Sequence, residues 1–272
     1  MGVAIVVPEV DWSDKSVAQV TIVGGEVPDP TIPAEVRIMY TSYLSKTGRA
    51  TNDNLLNMLA ELYAASVLSK CTGLFYLASP ENNLEHVKYS IINLRALTVN
   101  NTPLVTATGT GGTTKAGDFT DTGGYNLSAK GLLVVFMLSA APTGNGIDWG
   151  ADANKVCAFT SNGGDGNYIN STVIKWSDGV AISTTEDATT KKGVYSFYVK
   201  GTSARYKHNT VSLTKTVTVS STNPWNPKLL NYASTNNRTS AVHKMYATFN
   251  NDMTVDEINA IHDIFEKYKD LI

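Results

Sequence analysis

Residues 243–272 read HKMYATFNNDMTVDEINAIHDIFEKYKDLI, which predicts a strand, a turn and a closing helix. Met245, Ala247 and Phe249 alternate with other residues at the period of a half-buried strand. Thr254 and Glu257 then form a capping box, in which each side chain bonds to the backbone amide of the other residue. Apolar residues recur after it at helical spacing, at Ile258, Ile261, Phe265, Tyr268 and Ile272. The stretch therefore predicts a short amphipathic helix that closes a β-rich fold.

The rest of the chain contains helix signals near its start and strand signals throughout. Residues 51–70 predict an amphipathic helix, and Ser79-Pro80-Glu81 predicts the start of a second, short helix. Residues 35–43 predict a strand, and residues 74–77 a buried strand. The run 132–138 is apolar at every position, so we expect a central strand covered on both faces.

Further strand-like runs follow one another, separated by clusters of Gly, Asn, Asp or Pro. They cover residues 104–108, 132–139, 156–160, 168–176, 194–200, 211–220 and 242–249. Asp118 and Asp121 fall between such runs, and we interpret them as turn residues. Many short strands joined by turns are typical of a two-sheet sandwich.

Composition excludes several classes of protein. The chain has 272 residues and a net charge of −2 without a basic cluster, so we expect no nucleic-acid partner. The longest apolar run is too short to span a bilayer, and the start of the sequence does not read as a secretory signal. Cys71 and Cys157 do not make a disulfide framework, and we expect two free thiols.

The first 34 residues read as an extended arm and a proline-rich linker. Two β-like runs, 4–7 and 17–23, precede Pro28, Pro30 and Pro33. The runs either add edge strands to the following domain or pair with another chain. We predict that the arm docks on a partner through Ile5, Val7, Trp12, Val20 and Ile22. Residues 35–272 then form one domain, and we expect residues 49–272 to fold alone.

Aromatic residues beside Gly-, Asn- and Asp-rich loops suggest a sugar-binding surface. Aromatic rings stack on sugars while amides and carboxylates bind hydroxyl groups. The residues that we assign to glycan binding are Trp149, Trp176, Tyr168, Asn167, Asp165 and Trp225. The alternative is that these rings plug the ends of the sandwich as part of its core. The loop 160–168 is rich in oxygen ligands that suit Ca²⁺, but it has one charged residue and hairpin chemistry explains it. We expect no cofactor.

The motifs of hydrolytic enzymes are missing from the sequence. Cleavage of sugars on a sandwich needs two carboxylates on one face, and no predicted strand has acids at i and i+2. The sequence has no HExxH and no GxSxG motif. We predict that the protein is not an enzyme.

Several short motifs resemble the concanavalin A-like (laminin G-like) jelly-roll domains of phage virion proteins. They are Tyr246-Ala247-Thr248-Phe249-Asn250 before Met253-Thr254-Val255-Asp256-Glu257-Ile258, Leu74-Phe75-Tyr76-Leu77-Ala78, Ile92-Asn93-Leu94, and Asp121-Thr122-Gly123-Gly124-Tyr125-Asn126. The resemblance covers residues 52–272. It implies a head fibre or a tail-associated decoration protein, located in the virion.

Together these features predict an all-β, concanavalin A-like two-sheet jelly roll with a few peripheral helices and an extended N-terminal arm. We expect a structural virion protein that binds other virion proteins through its arm, forms a dimer or trimer, and displays a lectin-like domain to host glycans. The alternative is a carbohydrate-active enzyme or a free carbohydrate-binding module on the same sandwich.

Overall fold

The computed structural model describes residues 32–111, 117–125, 130–141, 149–150, 192–208, 211–216, 226–230 and 240–272, and the backbone alone of 157–160, 171–176 and 181–185. The helices in these ranges are α1 (Ala34–Thr47), α2 (Asp53–Ala64), a 3₁₀ turn (Leu68–Lys70), α3 (Leu84–Val87) and α4 (Val255–Tyr268). The first eight strands are β1 (Gly73–Tyr76), β2 (Thr98–Asn101), β3 (Val105–Thr106), β4 (Gly109–Gly111), β5 (Gly117–Thr120), β6 (Leu132–Ala140), β7 (Trp149–Gly150) and β8 (Cys157–Thr160). The remainder are β9 (Ser171–Trp176), β10 (Ala181–Thr185), β11 (Gly193–Lys200), β12 (Ser203–His208), β13 (Val211–Thr216), β14 (Lys228–Leu229) and β15 (Val242–Phe249).

The strands form two antiparallel sheets. The eight-stranded sheet has the order β13-β12-β11-β6-β15-β4-β3, and β1 also pairs with β15. The seven-stranded sheet has the order β10-β9-β8-β7-β14-β5-β2. Neighbours in space are often distant in the chain, as where β15 lies between β6 and β4. This confirms the predicted two-sheet sandwich with a few helices.

Strand β6 shows how the sandwich becomes three layers. Its even-numbered side chains, Leu132 to Leu138, belong to the core between the two sheets. Leu133, Val135 and Met137 point the other way, into a second core under helices α1, α2 and α4. Because both faces are covered, the strand is apolar at every position from 132 to 138, as the sequence predicted.

The closing stretch folds as strand, turn and helix. Thr254 Oγ1 accepts from the Glu257 amide at 3.2 Å, and Glu257 Oε2 accepts from the Thr254 amide at 2.8 Å, which confirms the capping box. Four of the predicted stripe residues are buried, namely Ile258, Ile261, Phe265 and Tyr268. The prediction that this strand is half-buried is wrong. Tyr246 and Thr248 are also fully buried, because β15 lies between the helix layer and the second sheet.

Two predicted elements near the start of the described chain differ from the structure. Residues 35–43 form part of α1 and not a strand, although tyrosine and β-branched residues in this run favour β structure. Val36, Tyr40, Tyr43 and Thr47 are buried at helical spacing, so packing against the second core decides the conformation. The region 51–70 contains α2 and a separate 3₁₀ turn, and Ser66 between them has a positive φ of 58°.

The short third helix also begins later than predicted. Asn83, and not Ser79, caps α3, and its side chain accepts from the Glu85 amide at 2.9 Å. Ser79 is instead fully buried and bonds to His86. None of the helices in the described ranges is long and apolar enough to cross a membrane.

Candidate functional site

The two outer faces of the sandwich differ in what covers them. Helices α1, α2 and α4 cover the outer face of the eight-stranded sheet, and the described residues of that second core come from the helices, their connections and this sheet. The inner face of the seven-stranded sheet places Phe119, Trp149 and Leu229 in the core between the sheets. Its outer face is therefore the surface opposite the helices.

Polar side chains follow one another across this outer face. Asp118 and Thr120 flank the inward Phe119 on β5, so they lie on the outer side, where Asp118 is 1% exposed and Thr120 is half-buried. Asn100 of β2 pairs with Asp118, and Lys228 of β14 pairs with Thr120. We call these four residues the polar face. Asp118 was interpreted above as a turn residue; the structure places it on a paired strand, because Val99 and Phe119 fix the register of β2 on β5.

Hydrogen bonds hold the polar face in one arrangement. Asn100 Nδ2 donates to Asp118 Oδ1 at 2.7 Å and to Thr120 Oγ1 at 2.9 Å. Both amide protons are then used, but the Asn100 carbonyl oxygen can still accept and the Thr120 hydroxyl can still donate. Lys228 forms no hydrogen bond or ion pair with a described residue. The face thus offers a fixed acceptor and two donors, a combination that matches the hydroxyl groups of a sugar.

A second polar cluster is buried between the sheets. Asp121 is fully buried and not a turn residue on the surface, since it follows β5 on the same side as Phe119. Its Oδ2 accepts from the hydroxyls of Tyr125 at 2.6 Å and of Tyr246 at 2.8 Å. Arg95 forms an ion pair with Oδ1 and donates to Tyr125 at 3.0 Å. Because Tyr246 belongs to β15, this cluster ties the seven-stranded sheet to the eight-stranded one.

The tyrosines of this cluster act as donors. Burial raises the pKa of Tyr246 well above its ordinary value, and it also raises the pKa of Tyr125 although the charge of Arg95 opposes this. Both hydroxyls therefore keep their protons and satisfy the carboxylate. A buried charge that is paired and fully hydrogen-bonded is a structural element, and we assign the cluster to the architecture.

Trp149 is the only one of the six assigned glycan residues whose side chain lies in the described part of the chain. Its side chain is fully buried, its Nε1 donates to the Tyr246 hydroxyl at 3.1 Å, and its ring packs edge-on against Phe197. The indole has no exposed face on which a sugar could stack. For Trp149 the structure therefore shows the core alternative, because β7 turns this side chain inward.

The other assigned residues remain predictions. Trp176 is the last residue of β9 and pairs with Cys157, but the structure describes only its backbone. Asp165, Asn167, Tyr168 and Trp225 lie outside the described residues, as do Ile5, Val7, Trp12, Val20 and Ile22 of the arm. In the chain, residues 161–170 connect β8 to β9, two neighbours in the seven-stranded sheet. The sequence signal pointed to this sheet but missed Asn100, Thr120 and Lys228, which look like ordinary surface residues until the register aligns them.

Two serine–histidine contacts do not form a nucleophile and base. Ser79 Oγ and Glu81 Oε2 both approach Nδ1 of His86, at 3.0 and 3.3 Å, whereas a triad uses opposite ring nitrogens. Ser196 Oγ lies 2.8 Å from Nδ1 of His262. Burial lowers the pKa of His262 to about 4, so its imidazole is a weak base at neutral pH.

In the described ranges, neither a pair of catalytic carboxylates nor a group of metal ligands is present. Asp118 and Asp121 lie on opposite faces of the seven-stranded sheet, so they cannot flank one glycosidic bond. Among these residues no group of three or more His, Cys, Asp and Glu side chains could hold a metal ion. The side chains of residues 160–168, for which Ca²⁺ binding was the alternative, lie outside the part of the chain that the structure describes.

A comparison with known proteins supports the fold. The sequence matches no family model and no curated protein. Domain 4 of AbnA, an extracellular arabinanase of family GH43 from Geobacillus stearothermophilus solved with arabinotriose, superposes with a TM-score of 0.50 and 13% identity, over 72% of this chain and 98% of that one. Trypanosoma rangeli sialidase in complex with sialic acid gives a TM-score of 0.49 and 9% identity, over 73% of this chain and 33% of that one.

The similarity to the arabinanase domain supports the sandwich fold. The arabinanase domain and this chain share a β-sandwich fold, and at 13% identity the likeness is one of fold alone. The chain is an antiparallel two-sheet sandwich with a helical layer on one side and a polar face on the other. Neither structure is described as a virion protein, so the virion assignment stays a prediction from sequence.

Proposed function

We propose that this protein is a carbohydrate-binding β-sandwich that recognises neutral sugars on its polar face. The observation that carries the proposal is the triad of Asn100, Asp118 and Thr120, which is prearranged by two hydrogen bonds on the sheet face opposite the helices. Prearranged polar groups bind hydroxyls without a further ordering cost. The arabinanase domain of similar fold was solved with an arabinotriose, which supports a saccharide as the ligand.

A glycan array with the full-length chain, extended to arabinotriose, identifies the ligand. Isothermal titration of the best ligand then tests the surface. We expect Thr120→Val to weaken binding about tenfold, because it removes one hydrogen bond at nearly constant volume. Thr214→Val is the matched control, since Thr214 is an exposed threonine on the edge strand β13 of the other sheet. Equal affinity in the two variants, or no ligand on the array, would contradict the proposal.

We further propose that the sandwich is displayed on a phage particle, as its sequence motifs suggest. The observation behind this second step is that the matched motifs coincide with real elements: 74–78 with β1, and 246–258 with β15 and the start of α4. A display role does not require catalysis, in keeping with the missing carboxylate pair. Mass spectrometry of purified particles from the source phage would detect the protein at a fixed copy number; its absence would contradict the virion assignment.

A further inference from the structure

A small pocket lies beside helix α4, on the opposite side of the sandwich from the polar face. Its floor is formed by Ser196 of β11, Lys207 of β12 and Ser212 of β13, which are in register across three strands. Val255 and Asn259 of α4 form one wall. The volume is about 80 Å³, enough for several water molecules or one small polar group.

Three polar side chains that line this pocket have unused hydrogen-bonding capacity. The side chains of Arg205, Ser212 and Asn259 form no hydrogen bond with any residue that the structure describes. Arg205 is half-buried and also has no ion-pair partner in these ranges. A guanidinium offers five donors in a planar fork, and here the donors converge with a hydroxyl and an amide on one cavity.

The charges around the pocket favour an anion. Lys207 is paired with Asp263, whose side chain is 67% exposed, at 2.7 Å. Arg205 adds a second positive charge, and no acid among the described residues forms an ion pair with it. The first turn of α4 carries two acids: Glu257 is paired with Lys70 at 2.6 Å and takes part in the capping box, and Asp256 is exposed. The charged side chains that line the pocket itself, Arg205 and Lys207, are both positive.

The base of the pocket is fixed from below. Ser196 Oγ is held at 2.8 Å by Nδ1 of His262, and both residues are about 1% exposed. Because His262 is buried and uncharged at neutral pH, it sets the position of the serine without changing the charge of the pocket. The serine at the base of the pocket is thus held in place before any ligand binds.

From this arrangement we infer that the pocket binds a small oxyanion, with Arg205 as its principal ligand and Ser212 and Asn259 as additional donors. A carboxylate or a phosphoryl group matches the guanidinium fork in a bidentate manner. Such a group belongs either to an acidic sugar or to free phosphate, and the shared chemistry is the planar or tetrahedral oxyanion. The pocket shares no residue with the polar face, so this inference can be tested independently of the proposed function.

The test is a titration of the full-length chain at low ionic strength with sodium phosphate and with sodium glucuronate, with glucose as the neutral comparator. Isothermal titration gives the affinity, and amide NMR shifts should locate the change at β12, β13 and the first turns of α4. We expect saturable binding of an oxyanion and none of glucose at this site. A tighter constant for glucuronate identifies an acidic sugar, and a tighter one for phosphate identifies a phosphoryl ligand.

Variants distinguish a site from general charge attraction. Arg205→Gln should weaken binding about tenfold or more, and Arg205→Lys should lose most of the affinity because it keeps the charge but not the fork. Lys215→Gln is the matched control: Lys215 is exposed on β13, but it pairs with Ala204 and lies on the other face of the sheet. Thermal melts of each variant establish that it is folded. The inference is overturned by an absence of saturable oxyanion binding, or by equal losses in Arg205→Gln and Lys215→Gln.

Discussion

At the scale of single residues, the sandwich depends on one buried carboxylate. Asp121 accepts from Tyr125, which follows β5, and from Tyr246 of β15, and it pairs with Arg95, whose side chain is 21% exposed. The backbone amide of Gly123 donates a further bond at 3.1 Å. Every acceptor of the carboxylate is therefore used, and removing its charge would leave the partly buried Arg95 guanidinium without its ion-pair partner.

We expect Asp121→Asn to lower the free energy of unfolding by about 3 kcal/mol, the typical loss when one partner of a buried pair is removed. The side chain keeps its shape, so the loss reports the charge and not a cavity. Urea denaturation measures it. Asp263→Asn, at an exposed ion pair, should change stability by less than about 1 kcal/mol. If both variants unfold alike, the buried pair does not stabilise the sandwich.

His262 makes a pH-dependent contribution to stability. Burial, together with the charge of Lys207, lowers its pKa from 6.5 to about 4, whereas Glu266 and Asp263 act in the opposite direction. The unfolded chain thus binds a proton between pH 6.5 and 4 that the folded chain does not. The stabilisation is complete above pH 6.5 and is lost as the pH falls toward 4, by up to about 3 kcal/mol. Urea midpoints at pH 5 and pH 7 should differ less in His262→Gln; an unchanged difference would contradict this assignment.

At the scale of elements, alternation along one strand separates two roles. On β5, Phe119 faces the core, while Asp118 and Thr120 face outward and contribute to the polar face. Asp121, which follows the strand, returns to the inner side. A shift of one residue in the register of β5 would bury Thr120 and expose Phe119, so the apolar core fixes the geometry of the proposed sugar site.

Helix α1 lies before residue 49, where the minimal folded unit is predicted to begin. Val36, Tyr40 and Tyr43 are buried in the same core as Leu133 and Val135 of β6. A chain of residues 49–272 would expose these partners, and each large side chain contributes about 1.5–3 kcal/mol when buried. We expect residues 32–272 to melt cooperatively and residues 49–272 to melt at a clearly lower temperature in calorimetry. Equal melting temperatures would show that α1 is dispensable.

Elements that the sequence did not predict share a physical cause. Strand β12 reads SARYKH, and Ala204, Tyr206 and His208 are buried while Arg205 and Lys207 are not. Alternation was present, but arginine and lysine are weak strand signals. Pairing with β11 on one side and β13 on the other stabilises the conformation. α1 was missed for the same reason, since tertiary packing overrode local propensity.

At the scale of the whole molecule, layering decides which surfaces are free to bind. The helices cover much of one sheet, so the polar face, the strand edges and the pocket beside α4 are the described surfaces on which a ligand or partner can act. The arm, residues 1–31, lies outside the described residues, and the prediction that it docks on a partner rests on its two β-like runs and on Trp12.

We predict that a chain lacking residues 1–31 keeps its melting temperature but is no longer incorporated into particles, because the arm supplies the strands for partner pairing. Trp12→Ala should weaken incorporation. Particle copy number by quantitative mass spectrometry is the measurement, and calorimetry of the shortened chain is its control. Normal copy number without the arm would place the attachment in the sandwich itself.

The sequence by itself determined the sandwich class, the central strand at 132–138 and the capped closing helix, since these depend on local periodicity and capping chemistry. Only the tertiary structure decided that Trp149 lies in the core, that Asp121 joins the two sheets, and that Asn100, Asp118 and Thr120 share one face. The physical reason is register. Which residues of distant strands become neighbours depends on how the buried rows of all strands fit together, and no local pattern contains that information.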